Sequence, residues 1–162
     1  MKKVIKYLSV FLILVLVTGC SLLETKTKEY SLNGVHITME DGMKEEKDED
    51  YTVFLSNDNY IFSALKESIT ILSSVGLDEN STVLDYTKLV LKANDFNKTP
   101  IEKDGLTYYT YDSTVEGTKF FYSTFTYKTE DAFWLVNFAC LYKDKSKYES
   151  KFIKWAKTIQ FD

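Results

Sequence analysis

Residues 132–142 read AFWLVNFACLY, an apolar run of strand length in which both alternating sets of side chains are hydrophobic. A strand of that kind is expected at the centre of a sheet, with structure packed on each face. Two further strand-like runs precede it. Leu106 to Asp112 and Lys119 to Lys128 are joined by a turn that holds Gly117, and Thr129-Glu130-Asp131 turns the chain into the central run. The three together predict an antiparallel meander. Its first two strands carry Tyr109 and Tyr111, then Thr124 and Thr126, at alternating positions, so one face is expected to be only partly dry.

Working outward toward the C-terminus, Ser146 and Glu149 have capping-box spacing, and Phe152, Ile153, Ala156 and Ile159 then recur at helical intervals with Trp155 beside them. This predicts a closing helix packed on the sheet. Lys147, Lys151, Lys154 and Lys157 follow one stripe, with Lys143 and Lys145 before it. The stripe reads first as a solvated face and second as a contact for anionic headgroups.

Toward the N-terminus, Thr82 and Asp85 also have capping-box spacing, and Val83, Tyr86, Leu89, Val90 and Ala93 predict an amphipathic helix that ends near Asn94 and Pro100. Residues 69–77 are apolar but ambiguous between helix and strand, with a break at Gly76. Tyr51 to Leu55 and Tyr60 to Leu65 predict a hairpin across the polar turn 56–59, and Val35, Ile37 and Met39 alternate with polar residues as a half-buried strand does. His36 falls on the polar face of that strand, where solvent exposure is expected, and Asp41-Gly42 then reads as a turn. Segment 40–50 holds seven acids against two lysines. The acids are bunched rather than alternating, and Gly42 lies outside the dense part, so a solvated loop fits better than a calcium loop.

The first 20 residues, MKKVIKYLSVFLILVLVTGC, place three lysines ahead of an apolar run from Leu8 to Val17. A span needs about 20 apolar residues and this run has roughly half that, so residues 1–19 read as a cleaved signal peptide. Val17-Thr18-Gly19-Cys20 resembles the lipobox of bacterial lipoproteins. That resemblance implies cleavage between Gly19 and Cys20, acylation of Cys20 by palmitate-type chains, and a lipid anchor on the extracytoplasmic face of a cell membrane, as on a Gram-positive surface. Residues 20–33 then read as a short polar tether, and 34–162 as one α+β domain. The predicted layout is α/β/α sandwich-like: an antiparallel sheet, hairpin plus three-stranded meander, covered by two amphipathic helices.

Composition narrows the function. Removing residues 1–19 takes three of the 20 lysines and no acid, leaving a formal charge of about −7. The chain has no arginine. Acidic balance and the lack of guanidinium groups both argue against nucleic acid. After acylation Cys140 is the lone thiol; in so apolar a run it reads as a buried small hydrophobe, and His36 offers no spacing that points to a Cys-His site. No cofactor or metal motif and no catalytic motif is present, which predicts a non-enzyme. A hydrolase would use neighbouring carboxylates such as Asp78 with Glu79 or Asp112 with Glu116, and such pairs are common on any acidic surface.

The segments TVLDYTKLVLKAN (82–94), FWLVNFACLY (133–142) and YKDKSKYESKFIKWAKTIQF (142–161), in their order, resemble the PsbP-like fold, which also occurs in DcrB-like bacterial lipoproteins. The likeness covers residues 34–162 and rests on element order; cystatin-like cones share much of it. It implies fold and a non-catalytic role, either binding a protein or envelope ligand or serving as an accessory factor for a membrane complex. Tyr109, Tyr111 and Tyr122 are the candidate contact residues, since tyrosine offers area and a hydroxyl at low entropic cost. Replacing Cys20 with alanine is expected to move the protein from the membrane fraction to the soluble fraction while leaving its far-UV circular dichroism unchanged; retention in the membrane contradicts the lipobox reading.

Overall fold

The computed structural model describes residues 26–162. The signal peptide, Gly19, Cys20 and the first residues of the expected tether lie outside the described residues. Order begins earlier than the sequence pattern indicates. Thr27–Leu32 forms strand β1, paired along its length with β2, Val35–Glu40, so residues 27–33 of the segment expected as a tether belong to the fold. Only Tyr30 of β1 is buried, which is why no alternation announced it. Asn33 and Gly34 join the two strands with φ of 48° and 81°, the two left-handed residues of a tight hairpin turn.

The remaining elements are β3 Lys44–Glu45, β4 Val53–Ser56, β5 Tyr60–Ser68, α1 Ile69–Leu72, α2 Val83–Ala93, β6 Ile101–Lys103, β7 Leu106–Val115, β8 Thr118–Lys128, β9 Ala132–Leu141, α3 Lys145–Ala156 and β10 Gln160–Phe161. Seven of the strands form one antiparallel sheet in the order β3-β4-β5-β9-β8-β7-β6, and β1, β2 and β10 form a second, smaller sheet. The expected hairpin and meander are both present, and β9 is central. The short β3, β6 and β10 flank them, β10 pairing with β2 right after the final helix.

One face of the large sheet is roofed across its central strands. Tyr148, Phe152 and Trp155 of α3 meet Tyr60 and Phe138, with Phe152 and Phe138 stacked at 5.0 Å. Val35, Ile37 and Met39 of the small sheet complete this core, together with Trp134, Val136 and Cys140 from β9. The expected capping box of Ser146 and Glu149 is not used. The chain leaves β9 through a single 3-10 turn, Tyr142–Asp144, that runs directly into α3, so Asp144 is the N-cap and Ser146 already lies inside the helix. The lysine stripe is largely engaged: Lys151 pairs with Glu40, Lys157 with Asp104, and Lys145 sits over the Phe121 ring.

The opposite face is roofed only in part, contrary to the expectation that β9 is covered on both sides. The capping box of α2 forms as predicted, the Thr82 hydroxyl accepting from the Asp85 backbone N–H and the Asp85 carboxylate accepting from Thr82 N–H. Its buried face is Tyr86, Thr87, Val90 and Leu91, rotated from the expected set, because the Thr87 hydroxyl meets that of Thr126 at 2.7 Å. Tyr86 stacks on Phe133 at 4.8 Å. An 11-residue helix is about 16 Å long, whereas a 10-residue strand such as β9 runs about 33 Å. Leu135 and Asn137 are consequently left half-buried.

Two substitutions separate these layers. Phe138→Ala, at the contact of Phe62, Phe125 and Phe152, is expected to lower the free energy of unfolding by about 3–5 kcal/mol. Thr82→Ala removes one cap and is expected to cost about 1 kcal/mol. Urea unfolding measures both, and comparable losses for the two contradict this packing order.

Candidate functional site

The uncovered part of the sheet is a trough whose floor is the β5–β9 pair. On the face away from α3 the paired residues are Ile61 with Ala139, Ser63 with Asn137, Leu65 with Leu135, and Glu67 with Phe133. Three steps of two residues make a length of about 20 Å. The middle of the floor is low because Ser63, Asn137 and Ala139 are small or short, while aromatic side chains rise on both sides.

The register sets these walls. Phe54 of β4 lies beside Ser63, Thr124 of β8 lies beside Asn137, and Tyr109 of β7 lies beside Thr124. One step along, Tyr122 lies beside Ala139 and Tyr111 beside Tyr122. Tyr111 and Tyr122 stand nearly parallel, 4.7 Å apart with 4° between their planes, and Phe96 packs on Tyr111 at 4.6 Å. Tyr111 is thus held between Phe96 and Tyr122, and Tyr122, the ring next to the floor residue Ala139, forms the inner surface of this wall. Tyr51 and Phe54, 5.6 Å apart, build the facing wall.

Three connected cavities follow from this relief. The section between the aromatic walls, lined by Tyr51, Phe54, Tyr111, Tyr122 and Asn137, holds about 260 Å3 and no ionisable acid or base other than its phenols. A middle section of about 310 Å3 shares Tyr51, Tyr111 and Asn137 with it and adds Asp50, Phe96 and the end of α2. The third, about 430 Å3, lies between α2 and the α1 turn and shares Leu65, Val90, Asn94 and Leu135 with the second. At its rim Ile71 and Val75 are 72% and 57% exposed, although both are large and apolar.

The polar groups of the trough are few and oriented. The Thr124 hydroxyl donates to Asn137 Oδ1 at 2.7 Å, which orients the amide. Burial holds the phenols of Tyr109, Tyr111 and Tyr122 above their ordinary pKa, with neighbouring tyrosines adding to the effect at Tyr111 and Tyr51 at Tyr122. They are neutral donors at physiological pH. Tyr86 donates to Glu67 at the α2 end.

The three tyrosines singled out in the sequence thus share one face, but not one role. Tyr111 and Tyr122 are half-buried on the wall, whereas Tyr109 is 3% exposed and sits beneath Phe96. Tyr51, Phe54 and Asn137 were missed. Their signal was faint, because membership of the trough depends on which strands lie side by side, not on any local motif.

Other candidates lie elsewhere. Asp78 is exposed in the turn before α2, where the Ser81 hydroxyl and the Asn80 backbone hold its carboxyl below the usual range. Asp112 is paired with Lys119, and Glu116 is the first left-handed residue of the β7–β8 turn. Neither carboxylate pair lines the trough. His36 bridges Ser31 Oγ at 2.9 Å through Nδ1 and Asp162 Oδ1 at 2.7 Å through Nε2. It is held between partners rather than simply solvated. The nitrogens are used in the reverse sense to a serine-hydrolase triad, and the group lies on the open surface of the small sheet. In segment 40–50 three of the seven acids have separate partners, Glu40 with Lys151, Asp41 with the Gly42 N–H and Glu46 with the Ser56 hydroxyl, and residues 44–50 are exposed. Among the described residues no group of three metal-ligating side chains converges, and no helix is long and apolar enough to cross a membrane.

Neither a family model nor a curated protein sequence matches the chain. Solved structures do. The cyanobacterial PsbP protein CyanoP from Synechocystis sp. PCC 6803 superposes with a TM-score of 0.51 at 15% identity, covering 88% of this chain and 96% of that one. A crystal structure from Bacteroides thetaiotaomicron gives 0.54 at 15% identity and covers 83% of this chain. The present chain spans about half of that Bacteroides protein, 48%. The likeness is one of fold, and the domain has the PsbP-like arrangement.

Cys140 gives a direct check on the core side of the sheet. Burial, then the nearby Asp144 and Glu149 carboxylates, push its thiol up to about 11. At pH 8 the thiol stays protonated and shielded, so iodoacetamide is expected to leave Cys140 unmodified in the native protein and to alkylate it in 6 M guanidinium, as read by peptide mass spectrometry. Equal alkylation in both states contradicts the packing described.

Proposed function

We propose that this chain is an extracytoplasmic lipoprotein, held at the membrane through acylated Cys20, whose PsbP-like domain acts as a non-catalytic binding module. The trough across the α2 side of the sheet is the observation that supports this reading. A folded domain ordinarily covers both faces of so apolar a sheet, and a concave, mostly apolar surface with a few oriented polar groups is the usual form of a ligand site. The lipid anchor gives such a module a fixed place beside the envelope, and its ligand is a protein or another envelope component. An accessory role toward a membrane complex is the same physical activity, with the ligand belonging to that complex.

In vivo photo-cross-linking tests the site whatever the identity of the ligand. A photoreactive phenylalanine analogue replaces Phe54 or Tyr122 with little change in shape, and Lys154, exposed on α3, serves as the control. Adducts are expected at Phe54 and Tyr122 and not at Lys154. Absence of adducts at both trough positions, or equal adducts at all three, contradicts the proposal.

A further inference from the structure

Building on the trough as a binding site, we infer that its ligand is an extended, basic and apolar polypeptide segment lying parallel to β5 and β9.

Three observations favour that occupant. The first is width. Phe54 and Tyr122 stand on strands three spacings apart in the order β4-β5-β9-β8, about 14 Å between backbones before the rings themselves are subtracted. A helix about 10–12 Å across does not fit between those rings, whereas a single extended chain does. The second is period. Apolar floor pairs, Ile61 with Ala139 and Leu65 with Leu135, flank the polar pair Ser63 with Asn137. Successive floor pairs lie two residues apart, about 6.8 Å, which is the spacing of same-side side chains on an extended peptide laid along the strands, and the two apolar pairs lie four residues apart, about 13.6 Å. Asn137 and Ser63 then meet the ligand side chain midway between the two apolar ones, a position that suits a small or polar residue.

The third is charge. The trough lining includes Glu67 and Asp50 but no lysine, and the chain contains no arginine. Beside the Tyr51 and Phe54 wall lies the acidic segment, with Glu45, Glu46, Asp48, Glu49 and Asp50 exposed around Lys47. Each surface charge alone is worth little, but a run of one sign along the rim steers a cationic ligand and rejects an anionic one. Fatty acids and anionic headgroups are disfavoured on the same ground.

The test selects a displayed library of random dodecapeptides on the full chain in nanodiscs. Selection is repeated on Tyr122→Lys, which places a cation on the wall, and on the doubly substituted Glu49→Lys, Asp50→Lys chain, whose changes are wholly on the surface. Enriched peptides are expected to carry apolar residues four positions apart with a small or polar residue midway, and lysine or arginine at an end. They are expected to bind about tenfold more weakly to both variants. Enriched peptides without a basic bias, or unchanged binding to the double variant, overturn the inference. Failure to enrich any peptide while Phe54 and Tyr122 still give cross-links overturns the polypeptide class and leaves the binding trough standing; failure of both removes the trough as a site.

Discussion

A helix of 11 residues cannot roof a sheet whose central strands run 10 and 11 residues. That mismatch of length shapes this domain. On one side of β9 the small sheet and α3 together cover the apolar surface, and an unbroken aromatic core from Tyr60 through Phe138 to Trp155 results. On the other side α2 is alone apart from the short α1 turn. The buried apolar cluster there ends at Tyr109 and Phe133; beyond it the short floor residues Ser63, Thr124 and Ala139 are sheltered by taller neighbours, and Phe96, Tyr111 and Tyr122 finish the face by ring stacking.

The two faces accordingly divide stability and function. Side chains that touch α3 exclude water on all sides, so their loss opens cavities in a close-packed core. Phe54, Tyr111, Tyr122, Leu135 and Asn137, which face the trough, are only half-buried, which makes truncation there cheaper and leaves the surface free to carry a binding role. The capping box at Thr82 and Asp85 matters to both. It fixes where α2 starts, and hence how far along the sheet its last turn, with Val90 and Asn94, reaches.

Much of the architecture was legible from sequence because local rules and tertiary contacts agree. The run 132–142 does become the central strand, the meander closes around Gly117, and the Thr82 cap forms. Where they disagree, reading failed for identifiable reasons. β1 carries only one buried side chain, Tyr30, so period gave no cue, although Asn33-Gly34 is a strong hairpin signal. Ser146 and Glu149 have the spacing of a cap but sit downstream of a 3-10 turn that had already started the helix. The face of α2 was misjudged because a polar residue, Thr87, is buried by a hydrogen bond to Thr126. The trough was legible only in its tyrosines. Phe54 and Ser63 face each other across the predicted hairpin, but Asn137 is far from both in sequence and joins them only through strand order.

Both the binding role and the division of the two faces depend on the openness of the α2-side face, and thiol accessibility measures it most directly. Single substitutions Asn137→Cys on the trough floor and Leu91→Cys on the buried face of α2 are treated with a small methanethiosulfonate reagent, and modification is read peptide by peptide by mass spectrometry. Rapid labelling is predicted at position 137, with protection at position 91 to the level of native Cys140. Equal protection at both positions would show a fully roofed sheet and contradict an open trough.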